Sequence, residues 1–180
     1  LSLRQQAASQ TDKRWPVLLA DIRADVQSGR LQKSDLLPLM TILQSRRLGD
    51  DVMPQQAIEL GRLANGQEPA IELAIAGLLL EQLASKKDSI QLEKRLLQLH
   101  QQGEKRAAYL LGRLYLEGRY RVAEPALAEQ VLKSATDLPE ASYLLGRLYL
   151  SGLLGGQPNV QAGVDLLVQS ARQGYVKADI

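Results

Sequence analysis

The 180-residue sequence has no cysteine and no phenylalanine, a single tryptophan, a single histidine, and aromatic side chains at only 4% of positions. Each scarcity removes a class of protein. Without cysteine there is no disulfide framework, no thiolate nucleophile and no thiolate metal site, while the compartment stays open. His100 has no second His or Cys with which to build a typical metal site or acid–base pair. With Gln98, Gln101 and Gln102 beside it, late in a predicted helix, it reads as a surface or packing residue. β-Branched and aromatic residues are too few for a sheet protein. A net charge of +2, from 22 basic and 20 acidic residues, excludes a general nucleic-acid binder. No apolar run reaches the length of a membrane span; the longest, residues 70–80, is interrupted by Glu72. No signal-peptide pattern opens at Leu1, so targeting or anchoring segments are left to regions outside this sequence. There is no glycine-rich phosphate loop or nucleophile elbow, and carboxylates one turn apart, such as Asp21 and Asp25, read as a solvated face. No catalytic residue, metal or cofactor is expected.

What is abundant is Leu and Ala, within a hydrophobic content of 45%. The octapeptide Tyr-Leu-Leu-Gly-Arg-Leu-Tyr-Leu occurs at Tyr109–Leu116 and again, unchanged, at Tyr143–Leu150, an offset of 34 residues. That period belongs to helix–turn–helix repeats, which bury their apolar faces only by stacking on neighbours. The fold class expected is all-α, a right-handed α–α superhelix. Prolines that start helices and glycines that end them place helices near 17–28, 35–46, 54–65, 69–84, 89–102, 104–117, 124–136, 139–151 and 160–173, with another starting near 175. Pro54, Pro69 and Pro139 suit first turns, whose N–H groups have no intrahelical partner. Gly29, Gly66, Gly103, Gly118, Gly152 and Gly174 suit left-handed C-terminal positions. Asp88 and Gln91 are read as a capping box.

Grouped by these helices, residues 1–66 form degenerate helical hairpins and 67–103 a tetratricopeptide-like repeat. Two closely related repeats follow at 104–138 and 139–174, and residues 175–180 begin another. In the first of these, Ala107, Leu111, Tyr115 and Gly118 share one helical face with Gly112 adjoining. Ala141, Leu145, Gly146, Tyr149 and Gly152 reproduce the arrangement in the second. The small residues let helix backbones approach closely, and the tyrosines fill the remaining space while keeping a hydroxyl near the rim.

The spacing Ala-x-x-x-Leu-Gly-x-x-Tyr-x-x-Gly resembles the first helix of Sel1-like repeats, within the tetratricopeptide group. Ala128, Lys133, Ser134 and Ala135, then Ser170, Ala171, Gly174 and Ala178, echo the second. Matching Ser134 with Ser170 makes the stretch 151–163 two residues longer than 117–127. Taken in order, Pro69–Glu81, the linker to Leu92, the run 108–118 and the run 141–155 are similar to consecutive parts of the AlgK family of alginate-biosynthesis lipoproteins, and Val17–Gly49 to the part just before. The resemblance implies a non-catalytic periplasmic scaffold, tethered to the outer membrane by a lipidated N-terminal Cys outside this sequence. Its partners would be an outer-membrane export porin and a periplasmic polymer-modifying protein. A cytoplasmic regulatory adaptor of the general Sel1 type is the rival reading.

The candidate partner-binding surface is a ridge. With Tyr109 at zero on a helical wheel, Arg113 lies near 40°, Leu116 near −20° and Tyr120 nominally near 20°, at about 100° per residue. Tyr143, Arg147 and Leu150 form its counterpart one repeat along. Repeat packing does not demand Tyr and Arg there, and these side chains commonly anchor interfaces; duplication of one repeat accounts for the identity equally well. Between Lys94 and Arg121 seven basic residues (Lys94, Arg95, Lys105, Arg106, Arg113, Arg119, Arg121) face two acidic ones (Glu104, Glu117). That excess would attract an acidic protein surface or, in a second reading, an anionic uronate polysaccharide. A solvated helix face explains any one of these residues.

Overall fold

A computed structural model describes residues 3–44 and 53–175. Among them the chain forms nine α-helices and one short 3-10 turn, with no strand, so the class read from the sequence is the one observed. The helix expected from 175 onward lies outside the described residues. The chain divides after Leu78 into two compact units, residues 1–78 and 79–180.

The first unit contains α1 (Leu3–Gln27), the 3-10 turn Lys33–Asp35, α2 (Leu36–Gln44), α3 (Pro54–Arg62) and most of α4 (Pro69–Glu81). The sequence places the start of α1 at Val17, after Pro16, but the helix runs through Pro16 from Leu3. Proline there forfeits an intrahelical bond to the preceding turn. The next side chain back compensates in part: Trp15 is buried, and its indole Nε1 donates to Glu59 Oε2 at 2.8 Å, tying α1 to α3. The core is Leu36, Met40, Ala57, Ile58, Leu60 and Ile71, each at most 2% exposed. Gly61 admits Met40 here, since a Cβ at this position would stand 2.8 Å from the Met40 sulfur and 3.1 Å from Ile75.

The second unit holds α5 (Lys86–Gln101), α6 (Lys105–Glu117), α7 (Pro125–Lys133), α8 (Pro139–Ser151) and α9 (Val160–Arg172). Helices α6 and α7 pack as one hairpin and α8 and α9 as the next, while α6 and α7 both touch α8. The two octapeptides therefore occupy the same station in successive hairpins. Leu110, Leu111 and Leu114 are buried, and so are Leu144, Leu145 and Leu148. Burial of such a leucine contributes roughly 1.5–3 kcal/mol.

Helix ends follow mostly as read. Gly29, Gly66, Gly103, Gly152 and Gly174 have positive φ. Gly118 does not: its φ is −63° and ψ 130°, so the chain leaves α6 in an extended direction. Glycine is needed there for a different reason, because a Cβ would collide with the Leu114 carbonyl oxygen. At α5 the expected cap moves upstream. Ser85, in extended backbone, is the N-cap, and its Oγ accepts from the Asp88 N–H at 3.1 Å; Asp88 already lies inside the first turn. The second helices correspond at a shift of 35, not the 36 that pairing Ser134 with Ser170 implies. Glu124 N–H donates to Tyr115 O and Asn159 N–H to Tyr149 O, both at 2.8 Å. The connection after α8 is thus one residue longer than that after α6.

Candidate partner-binding groove

Small residues determine how closely the hairpins of the second unit pack. A Cβ on Gly112 would stand 2.6 Å from Leu132, so the first copy uses its glycine to receive a side chain from α7. A Cβ on Gly146 would stand 2.9 Å from the Gly163 carbonyl oxygen, so the second copy brings α9 backbone directly against α8. Ala107, Leu111, Gly112 and Tyr115 are buried, as are Ala141, Leu145 and Gly146; Gly118, Tyr149 and Gly152 are half-buried.

The repeat tyrosines also hold neighbouring helices through their hydroxyls. Tyr115 Oη donates to Glu93 Oε1 on α5, and Tyr149 Oη donates to Glu129 Oε1 on α7, each at 3.0 Å. Arg121 Nη1 reaches the other oxygen of Glu93 at 3.1 Å and Arg121 Nη2 reaches Glu124 at 2.6 Å, with the guanidinium 4.9 Å from the Tyr115 ring centre. In the second copy Lys133 takes the place of this arginine, 2.8 Å from Glu129. Burial, reinforced by the bond to Glu93, pushes the Tyr115 hydroxyl up to about 12. Tyr149 is raised for the same reasons, burial and then Glu129. Burial opposes the charge of Arg121, but its bonds to Glu124 and Glu93 outweigh that, and its pKa is raised.

On the ridge, Tyr109 and Arg113 of α6 and Tyr143 and Arg147 of α8 converge on one groove of about 250 Å³. The Arg113 guanidinium lies 6.0 Å from the Tyr109 ring centre, and that of Arg147 lies 5.9 Å from Tyr143, close enough for cation–π attraction. Tyr175 tilts against Tyr143 with ring centres 5.3 Å apart and also lines the groove. Glu117, Glu140 and Leu144 complete the walls. The two arginines differ in state. Arg113 is half-buried and paired with Glu81; although burial opposes its charge, that bond and the nearby Tyr109 raise its pKa. Arg147 is exposed.

Leu116, Tyr120 and Leu150 stand apart from this groove. Leu116 is half-buried on α6. Leu150 packs over Gly163, where a Cβ would meet it at 2.7 Å. Tyr120 has φ +64°, beyond the end of α6, which turns it onto a separate cleft with Ile90 and Val122. The wheel fails at these positions because it ignores the partner helix at Leu150 and the chain's change of direction at Gly118. Missed from sequence were Tyr175, Glu140 and Leu144 in the groove, and Glu93 and Glu129 beneath the tyrosines. A visible signal did exist for the last two: each glutamate sits on the helix that immediately precedes its tyrosine's helix.

The basic stretch is also less basic in space than in sequence. Lys105 pairs with Asp137 at 2.5 Å, Arg106 with Glu140 at 3.5 Å, Arg113 with Glu81, and Arg121 with Glu93 and Glu124. Every one of those carboxylates lies outside residues 94–121, where a linear count cannot see it. The Lys105 bond holds Asp137 below the usual carboxylate range. His100 lies in the last turn of α5, and among the described residues no group of three or more His, Asp or Glu is placed to hold a metal. No helix among them is long and apolar enough to cross a membrane.

No family model and no curated protein matches the chain. Among solved structures, a Sel1 repeat protein from Oxalobacter formigenes resembles it with a TM-score of 0.58 and 19% identity, over 91% of this chain and 75% of that one. The likeness shows the fold alone: an α–α solenoid, as in that Sel1 repeat protein.

Proposed function

We propose that the protein is a non-catalytic scaffold whose α6–α8 groove docks a protein partner. The observation that carries this reading is the convergence of Tyr109, Arg113, Tyr143 and Arg147, from two copies of one octapeptide, on a single groove. Tyrosine and arginine are the side chains that concentrate interface energy, and cation–π contacts hold both pairs in shape before a partner arrives. Its charge is mixed, with Glu117 and Glu140 lining it alongside the arginines, which suits a partner carrying both signs. A uronate polymer is the weaker occupant: four of the seven basic residues nearby are already paired, and guanidinium groups lie against the Tyr109 and Tyr143 rings on which a sugar would stack.

The similarity to the AlgK family extends the proposal to the periplasm, with an outer-membrane tether supplied from outside this sequence and an export porin and polymer-modifying protein as partners. In the full-length protein, R113A/R147A should lose most partner recovery in pull-downs while retaining its helical circular dichroism. Unchanged recovery from those partners, with polymer binding at low salt also unchanged, would remove the groove from the function.

A further inference from the structure

The first unit has a larger cleft that the groove reading does not use. It encloses about 780 Å³ between α1, the 3-10 turn and α3, within the range of ligand-binding pockets. Three cations line it, Arg23, Lys33 and Arg62, against one carboxylate, Glu59. That carboxylate is engaged already by the Trp15 indole, and Lys33 donates to the Gln67 side chain. Arg23 and Arg62 are exposed and, among the described residues, make no ion pair. Four of the seven basic residues in the second unit's stretch are paired with carboxylates, but here the two arginines are open to an incoming group. Aliphatic Leu19, Val26 and Leu63 and the neutral polar Gln27 and Asn65 make up the rest of the lining.

We propose that this cleft binds an acidic, leucine-rich type of peptide segment from another protein, its carboxylates on Arg23 and Arg62 and its apolar side chains on Leu19, Val26 and Leu63. Two guanidinium forks suit carboxylates, each able to accept bidentately. The aliphatic surface beside the cations favours a peptide over an anionic polysaccharide, since the polymer could use the arginines but its hydroxyl-rich rings would gain little against Leu19, Val26 and Leu63. Trp15, the nearest aromatic, is buried and edge-bonded to Glu59. This site is independent of the α6–α8 groove.

The single tryptophan makes the test direct, since its indole is bonded to a residue of the cleft wall. Trp15 emission is followed while the protein is titrated with a short peptide alternating Glu and Leu, with its Gln/Leu counterpart, and with alginate oligomers. Saturable change with the Glu/Leu peptide alone is the expected result. Loss of one charge-assisted contact in R23A or R62A should weaken binding about tenfold, and R113A/R147A should leave it unaltered. Glu59→Gln keeps an acceptor for the indole while removing the lone negative charge, so it should tighten binding, an outcome that misfolding cannot imitate. Equal binding of the Gln/Leu peptide, preference for the oligomers, or indifference to R23A, R62A and E59Q together would each overturn the proposal.

Discussion

At single positions, glycines that look alike in sequence carry different costs. Gly146 faces the Gly163 carbonyl oxygen at 2.9 Å from where a Cβ would stand, whereas a Cβ on Gly77, inside α4, would meet nothing within 4 Å. Gly146→Ala should therefore destabilise by about 1–3 kcal/mol, since backbone must move. Gly77→Ala should stabilise by about 0.5–1 kcal/mol through helix propensity and a less disordered unfolded chain. Urea unfolding midpoints of the two variants decide it, and equal shifts would contradict the packing described. Tyr115 offers a test by pH. Its folded-state pKa of about 12 lies above the ordinary 10.0, so the protonated hydroxyl is what folding favours. Its contribution is full below pH 10 and fades as pH rises toward 12. The stability difference between the protein and Tyr115→Phe should shrink across that window; a difference independent of pH would show that the hydroxyl is not held by Glu93.

Among the helices, what could be read from sequence is what local chemistry controls. The first-turn prolines at Pro54, Pro69 and Pro139 and the left-handed glycines after α5, α8 and α9 mark real boundaries. Reading failed where a tertiary contact overrules local preference. Helix α1 passes through Pro16 beside an anchored Trp15, and Gly118 is required by a collision with Leu114, with no left-handed turn. At α5 the sequence reading puts the cap at Asp88, whereas the extended backbone places it three residues upstream at Ser85. Ser85→Ala should cost roughly 0.5–2 kcal/mol by losing the bond to the Asp88 N–H, and Asp88→Ala much less. Thermal melts that rank the two in the opposite order would restore the downstream cap. The groove was half legible: helical periodicity brings Tyr109 to Arg113 and Tyr143 to Arg147. Tyr175 lies beyond the end of α9, where neither a wheel nor the repeat applies.

Over the whole molecule, 22 basic and 20 acidic side chains nearly cancel, and the close pairs described are mostly at the surface. Pairs of that kind contribute roughly 0–1 kcal/mol each and are screened by salt. Raising ionic strength should shift the melting temperature by only a few degrees, because apolar burial in Leu36, Leu96, Leu111 and Leu145 does not depend on salt. Binding to either arginine-bearing site should weaken over the same range. Collapse of the fold in moderate salt would mean that the ion pairs, and not the leucine seam, hold the hairpins.

The hydroxyl of each repeat tyrosine grips an acid on the preceding helix, Tyr115 on Glu93 and Tyr149 on Glu129, so each hairpin carries its own hook and depends on an eye supplied by the helix before it. Lengthening this array by copying a cassette would therefore require the cut to fall between hook and eye. A duplicate spliced behind a hairpin that lacks the glutamate would arrive with an orphaned phenol and a loose joint at its leading edge.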